Sequence, residues 1–259
     1  MDVQSTGTMG SHVARVFWIA FGVVNHAVFA VTVWYLFWFL KGGEPTAERG
    51  WLWLDLPLAL QFSVLHSVLL LPPVRQRLTR WIPSHSYGCF FCLASCLMLL
   101  LTMGLWQPSP IVVARFEGVA RSIVEAGFFA SWGLLFYALG LAGYGYQTGF
   151  TPWWQWMRGE PAPPRTFNPR GIFRFMRHPV YASFLGLIWF TPVITLDRAL
   201  LIGVWTAYVF WGSYLKDQRL LHYLGDRYRD YQARVPGYPG FVWGPLARVK
   251  ASNAPESAS

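Results

Sequence analysis

Charge is scarce in this sequence. Only 13% of its 259 residues are Asp, Glu, Lys or Arg, about half the share usual in soluble domains. Acids are scarcer than bases, 12 against 21, which leaves a net charge of +9. Cysteine is limited to Cys89, Cys92 and Cys96. All three sit in one apolar stretch, which argues against a disulfide framework. The chain carries no glycine-rich phosphate loop, no HExxH helix and no serine nucleophile elbow. The first 14 residues lack the charged-then-apolar pattern of a signal peptide, and the apolar run from Val16 is too long for one, so no cleaved leader is expected.

Apolar and aromatic residues fill the space that charge leaves. Hydrophobic residues make up 54% and aromatics 18%, with 15 Trp. Indole rings favour the membrane–water boundary, where both of their ends are satisfied. The basic residues lie between apolar runs and form no single block. That distribution points to cytoplasmic loops and anionic headgroups, and away from nucleic acid.

Four apolar segments come first, at about 16–40, 51–71, 87–106 and 124–146. Each is near the ~20 residues that cross a bilayer. Residues 147–178 are polar and rich in Pro and Arg. A last apolar stretch, 180–215, is interrupted by Pro192 and by Asp197-Arg198, and reads as a helical hairpin with its tip at 195–198. From Lys216, the residues Leu220, Leu221, Leu224, Tyr228 and Tyr231 recur at helical spacing and predict an amphipathic surface helix ending at Pro236.

The expected fold is therefore all-α, an integral membrane helical bundle of about six transmembrane helices. It divides into a polar segment 1–14, a four-helix region 15–146, a loop, hairpin and C-terminal helix over 147–240, and a disordered tail 241–259. The loops after segments two and four are basic, with Arg75, Arg77 and Arg80 in one and Arg158, Arg165, Arg170, Arg174 and Arg177 in the other. The other loops balance Lys41 and Arg49 against Glu44 and Glu48, and Arg115 and Arg121 against Glu117 and Glu125. Basic loops face the cytoplasm. Six crossings with both termini inside satisfy this, and suggest a bacterial inner membrane.

Four polar features then share the cytoplasmic end: His66-Ser67, Gln147, the run Arg177-His178-Pro179-Val180-Tyr181, and Lys216-Asp217. Pro179 suits the first turn of a helix, whose free N–H groups favour an anion. Arg177 adds a guanidinium fork; a lipid anchor with His178 as helix cap is the alternative. Asp217 neutralises a cation or makes a salt bridge. His66 lies inside the membrane boundary, where a polar group is costly, and serves either a site or an interhelical contact. Asn25-His26 lies mid-segment and reads as an interhelical contact. His85 shares a helix face with the three cysteines. That face could hold a metal, but helix packing is the reading favoured, and no metal is assigned.

The pattern Arg177-His178-Pro179-x-Tyr181, followed by a hairpin and by Leu224-Gly225-x-x-Tyr228-x-x-Tyr231-x-x-x-Val235-Pro236, resembles the isoprenylcysteine carboxyl methyltransferase superfamily of membrane methyltransferases. Leu65-His66-Ser67 with Arg75, Arg77, Arg80, Trp81 and Pro83, and Trp189-Phe-Thr-Pro192, looks like its methanethiol S-methyltransferase and NnrU-like branch. The resemblance implies S-adenosylmethionine bound without a Rossmann domain. His178, Pro179, Val180 and Tyr181 would line the cofactor site, with Gln147, Arg177 and Asp217 as additions. His66 and Asp217 would be the catalytic candidates, with a small or apolar thiol as acceptor. The family's acidic pair falls on Lys216 and Asp217, so lysine replaces the first acid. A non-enzymatic NnrU-like protein, or a steroid-reductase-like enzyme using NADPH held by Arg158, Arg165 and Arg170, are the rival expectations.

Overall fold

The structure, a computed structural model, describes residues 5–45, 52–164 and 166–249, with side chains from residue 12 onward except at residue 52. Glu48, Arg49, Trp51, Arg165 and the last ten residues of the expected tail lie outside the described residues. The bundle is all-α as expected, apart from one two-stranded ribbon. Among the described residues, His12–Lys41, Tyr87–Leu105 and Gly118–Ala142 are long and apolar enough to cross a bilayer.

The described residues divide into two compact units. The first comprises those of Met1–Phe116, Ala142–Thr166 and Pro192–Leu201. Its helices are α1 (Ser5–Lys41), α2 (Leu52–Leu69), α3 (Pro72–Leu78), α4 (Tyr87–Leu105), α6 (Tyr144–Gln147) and α7 (Phe150–Arg158), following chain order around α5 (Gly118–Ala142). Helix α1 already runs through residues 5–14, which were expected as a separate polar segment. The chain bends by 75° between α2 and α3, where Pro72 and Pro73 prevent a straight continuation. Taken together, α2 and α3 amount to a fourth, broken span.

Helix α4 packs against α1 and α2, and α7 packs on α1 and α4. Contact between α4 and the start of α7 is close enough that a Cβ on Gly88 would meet the Gly149 Cα at 2.6 Å. Gly149 itself has φ 78°, a conformation that favours glycine. Cys89, Cys92 and Cys96 are buried free thiols on this face of α4, and the Cys89 thiol points to the Gly149 carbonyl at 3.5 Å. His85 stacks on Trp156 with ring centroids 4.0 Å apart. Asn25 donates to the Thr148 carbonyl at 3.4 Å, the interhelical contact expected of it.

The ribbon pairs β1 (Val112–Arg115) with β2 (Val193–Thr195) antiparallel, with Ala114 opposite Ile194. It stands where a simple hairpin tip was expected. Asp197 just beyond it is buried and accepts from Trp106 Nε1, the Ser109 N–H and the Thr195 hydroxyl at 2.9, 3.0 and 2.6 Å. Three donors offset the cost of burying that carboxylate.

The second unit comprises Glu117–Leu141, Phe167–Thr191 and the described residues from Ile202 onward. It holds α8 (Pro179–Trp189), most of α9 (Leu196–Leu224) and α10 (Asp226–Arg234). Helices α8 and α9 are the expected hairpin arms. At eleven residues α8 rises only ~16 Å, short of a ~30 Å hydrocarbon core. Full spans among the described residues therefore number three, or four with the bent pair, rather than six. The Ser131 side chain on α5 lies where any Cβ on Gly186 of α8 would stand, so the glycine lets these two helices approach closely.

The expected surface helix from Lys216 is two elements. Helix α9 runs to Leu224, Gly225 breaks it, and α10 follows. The stripe of Leu220, Leu221, Leu224, Tyr228 and Tyr231 packs with Phe167 and Val235 in a protein core, not on a lipid surface. Residues 241–249 also differ from the expected disordered tail. Leu246 and Ala247 are buried, and the Gly237 N–H donates to the Leu246 carbonyl at 2.7 Å.

Candidate functional site

The second unit concentrates its polar chemistry where α8 begins. Pro179 is the first residue of that helix and His178 its N-cap position, as the order His-Pro predicts. The His178 side chain makes no capping bond. Main-chain bonds fix the approach: the Arg177 N–H donates to the Pro236 carbonyl at 2.9 Å, and the His178 N–H to the Gly237 carbonyl at 3.2 Å. The sequence Val235-Pro236-Gly237 thus holds the motif from behind.

Arg177 is the largest fully buried side chain of the described residues, 2% exposed. Its Nε and Nη2 donate to Asp217 Oδ2 at 3.2 and 2.8 Å. Nη1 faces the carbonyls of Val235, Ala247 and Gln232 at 2.7, 3.1 and 3.5 Å, and Nη2 also faces that of Pro245 at 3.5 Å. A guanidinium has five N–H donors, and protein acceptors account for all of them. The expected anion fork is therefore a clamp. It ties the start of α8 to α9, α10 and the C-terminal loop.

Asp217 is equally committed. Its Oδ1 accepts from the Tyr228 hydroxyl at 2.5 Å and lies 3.1 Å from His178 Nε2. Burial alone would raise its pKa, but contact with His178, the Arg177 charge and the Tyr228 hydroxyl outweigh burial and hold the carboxyl below its ordinary value. The Tyr228 phenol is pushed up, first by burial and then by the Asp217 charge.

His178 completes the cluster and differs from its neighbours. It is fully buried, yet both ring nitrogens lack a hydrogen-bond partner among the described residues. The 3.1 Å approach to Asp217 is an ion pair only for a protonated ring, and it is not aligned as a hydrogen bond. Burial lowers the His178 pKa, against an opposing pull from Asp217, so the ring is neutral at neutral pH. A neutral imidazole offers one donor and one acceptor. Here Nε2 is spent only on the unaligned 3.1 Å approach to Asp217, and Nδ1 has no partner among the described residues. Tyr181 meets the ring edge-on at 5.7 Å and Tyr238 lies tilted at the same distance. The Tyr238 and Ser213 hydroxyls share a 2.6 Å bond. Tyr181 donates to the Gly212 carbonyl only at 3.4 Å, and Lys216 Nζ stands 5.4 Å from the Tyr181 ring centre.

Arg177, His178, Pro179, Val180, Tyr181 and Asp217 are thus gathered within one unit. Gln147, exposed at the end of α6, and His66 belong to the first unit. His66 Nδ1 meets the Ser95 hydroxyl at 3.1 Å, with its ring among Phe62 and Phe91. That is the interhelical contact weighed above. The sequence reading missed Tyr238, Ser213 and the C-terminal carbonyls. Tyr228 stood there as part of an apolar stripe and of the family motif, with no role given to its hydroxyl. A Tyr one turn inside a helix that follows Asp217 was the signal available for Tyr228.

No family model and no solved structure matches the chain. Curated proteins do. Methanethiol S-methyltransferase 1 of Bradyrhizobium diazoefficiens is 29% identical over 251 residues, covering 90% of this chain and 86% of that protein. Methanethiol S-methyltransferase of Pseudomonas sp. strain GM41(2012) is 28% identical over 231 residues, covering 84% and 87%. Nurim of Rattus norvegicus is 29% identical over 206 residues, covering 71% and 78%. The resemblance read from the Arg177–Tyr181 motif is borne out by these homologues.

Proposed function

We propose that this chain is a membrane methyltransferase that transfers a methyl group from S-adenosylmethionine to a small or apolar thiol, with methanethiol the first candidate. The observation that carries the reading is the agreement of several relatives, across most of the chain, on the name methanethiol S-methyltransferase. The cofactor assignment rests on the fit of His178. A buried polar atom without a partner costs about 1–3 kcal/mol, and a ligand that pairs with the ring recovers it.

When bound, S-adenosylmethionine supplies a methyl already activated on a sulfonium sulfur. His178, Pro179, Val180 and Tyr181 would hold it, with His178 donating or accepting at a ring nitrogen and the Tyr181 hydroxyl exchanging its long bond to Gly212 for a better one. Arg177 and Asp217 keep that wall rigid. The chain's contribution is alignment of donor and acceptor and exclusion of water. The basic loops support a cytoplasmic position for both chain ends, in a bacterial inner membrane.

Binding of tritiated S-adenosylmethionine to the purified, detergent-solubilised protein tests the cofactor. Saturable binding is expected below about 1 mM, the upper end of common KM values. Its absence in well-folded protein sinks the reading. Headspace dimethyl sulfide after addition of methanethiol tests the acceptor.

A further inference from the structure

S-adenosylmethionine carries a positive sulfonium and, at neutral pH, an ammonium. A neutral imidazole can receive such a ligand, whereas a protonated one repels it. The network behind His178 holds the means to set that state. Asp217 Oδ1 stands between two groups. The Tyr228 hydroxyl donates to it at 2.5 Å, and His178 Nε2 lies 3.1 Å away without the alignment of a hydrogen bond. The other oxygen, Oδ2, takes Nε and Nη2 of Arg177. The carboxylate that would draw a second proton onto the ring is thus engaged by Arg177 and Tyr228 first. Of the two neutral forms of the ring, the one with its proton on Nε2 suits this placing, because a lone pair there would face the negative oxygen. Nδ1, buried and without a partner among the described residues, is then an acceptor.

We propose that Tyr228 is a positioning residue of the site: its hydroxyl engages the Asp217 oxygen nearest His178, which leaves the ring neutral and lets Nδ1 accept from an ammonium or hydroxyl donor of the ligand. The inference rests on the methyltransferase reading. Burial already disfavours the charged ring, and Asp217 opposes that effect. The Tyr228 hydroxyl weakens the opposition. It adds no charge of its own, because burial and then the Asp217 charge push the phenol pKa up and keep it protonated. Phenylalanine at 228 would leave Oδ1 to His178 alone. The ring would then hold a second proton more tightly, and a protonated ring has no acceptor at Nδ1. The titratable and charged groups around His178 are Arg177 and Tyr181 at the start of α8, Lys216 and Asp217 on α9, and Tyr238 in the C-terminal loop. On α10, Tyr228 acts through Asp217. All but Tyr228 stay in place in the variant.

The test compares wild type with Tyr228→Phe and Tyr231→Phe, each as full chain. Tyr231 is the control, because its hydroxyl also donates at 2.5 Å, but to the Phe173 carbonyl and not to Asp217. Histidine ring NMR of cofactor-free protein, with His178 assigned by its loss in His178→Gln, reads the ring directly. In wild type the ring is expected neutral at pH 7 with its proton on Nε2. Its titration midpoint is expected about one unit higher in Tyr228→Phe, and unchanged in Tyr231→Phe. The second readout is the Kd of tritiated S-adenosylmethionine against pH. Amino-acid ammonium and carboxyl groups do not titrate between about pH 5 and 7, so an acid limb there reports the protein. That limb is expected to rise by the same unit in Tyr228→Phe, which makes binding about tenfold weaker below both midpoints and leaves it within about twofold of wild type at pH 8. A wild-type ring that is protonated at pH 7, or that carries its proton on Nδ1, overturns the inference without any variant. Equal midpoints in Tyr228→Phe and wild type overturn it too, as does an equal shift in Tyr231→Phe. A wild type that binds no S-adenosylmethionine at any pH overturns the methyltransferase reading, which is a separate result from the ring titration.

Discussion

The two units keep their polar groups in opposite ways. In the first, apart from the donors gathered on Asp197, several polar groups are spread along long apolar helices with partners of their own: Thr32 bonds its own helix at Val28, Ser63 at Ala59, and Gln61 reaches Met98 and Thr102 on the next helix. In the second, one guanidinium, one carboxylate, one phenol and one imidazole share a single buried network. Dispersed bonds fail one at a time. A shared network fails together, because removing one member strands the rest. The difference shows where a substitution will cost most.

The largest effect is expected at the clamp. Arg177→Leu leaves Asp217 buried without its cation and strips donors from the carbonyls of Gln232, Val235 and Ala247. Breaking a buried pair from one side costs about 3–5 kcal/mol, enough to open the second unit. Limited proteolysis is expected to cut near the C-terminus of this variant and not in the first unit. Ending the chain after Gly240 removes Pro245 and Ala247, two of the acceptors, and is expected to weaken the same unit less. A chain ended after Val249 keeps every contact described and is expected to match wild type in thermal unfolding. Equal behaviour of the two truncations would mean that the C-terminal loop does not brace the clamp.

A middle-sized effect separates the two histidines. His178→Ala is expected to weaken S-adenosylmethionine binding about tenfold or more, the scale of one lost charge-assisted or well-aligned hydrogen bond. His66→Ala, which loses a contact to Ser95 in the first unit, is expected to leave that affinity within about twofold. Radioligand binding on both variants decides it. Equal, negligible losses would remove His178 from the cofactor wall.

Much of this contrast was legible in the sequence, and the reasons are local. Long apolar runs mark α1, α4 and α5 because crossing a bilayer needs length and little else. Pro179 after His178 marks the start of α8, because a ring without an N–H fits only there. The return of a hairpin to its own side brings Asp217 near His178. The rest depends on atoms without a sequence signature. Arg177 is clamped mainly by backbone carbonyls, which every residue has. The stripe from Leu220 to Tyr231 has a helical period whether protein or lipid covers it, so the period could not tell that Phe167 lies on it. The ribbon of β1 and β2 is too short for alternation to reveal.

The smallest expected effect concerns pH, and it divides the network by sign. The folded pKa of His178 lies below its ordinary value of about 6.5. Folding therefore favours the neutral ring, and this contribution is complete above about pH 6.5 and is lost as pH falls toward the folded value. Asp217 is also depressed, but from an ordinary value of about 3.9. Its contribution is present above about pH 3.9 and is lost only as pH falls through its lower folded value. Between pH 8 and 6.5 neither group titrates against folding, so the thermal midpoint should be flat. From pH 6.5 down to 4.5 the slope should come from His178 and from the half-buried His85, whose pKa burial also lowers, and His178→Gln should reduce it while leaving the loss below pH 4. If His178→Gln keeps the wild-type slope between pH 6.5 and 4.5, the imidazole is not held neutral by burial. The unpartnered Nδ1 on which the cofactor assignment rests would then need another account.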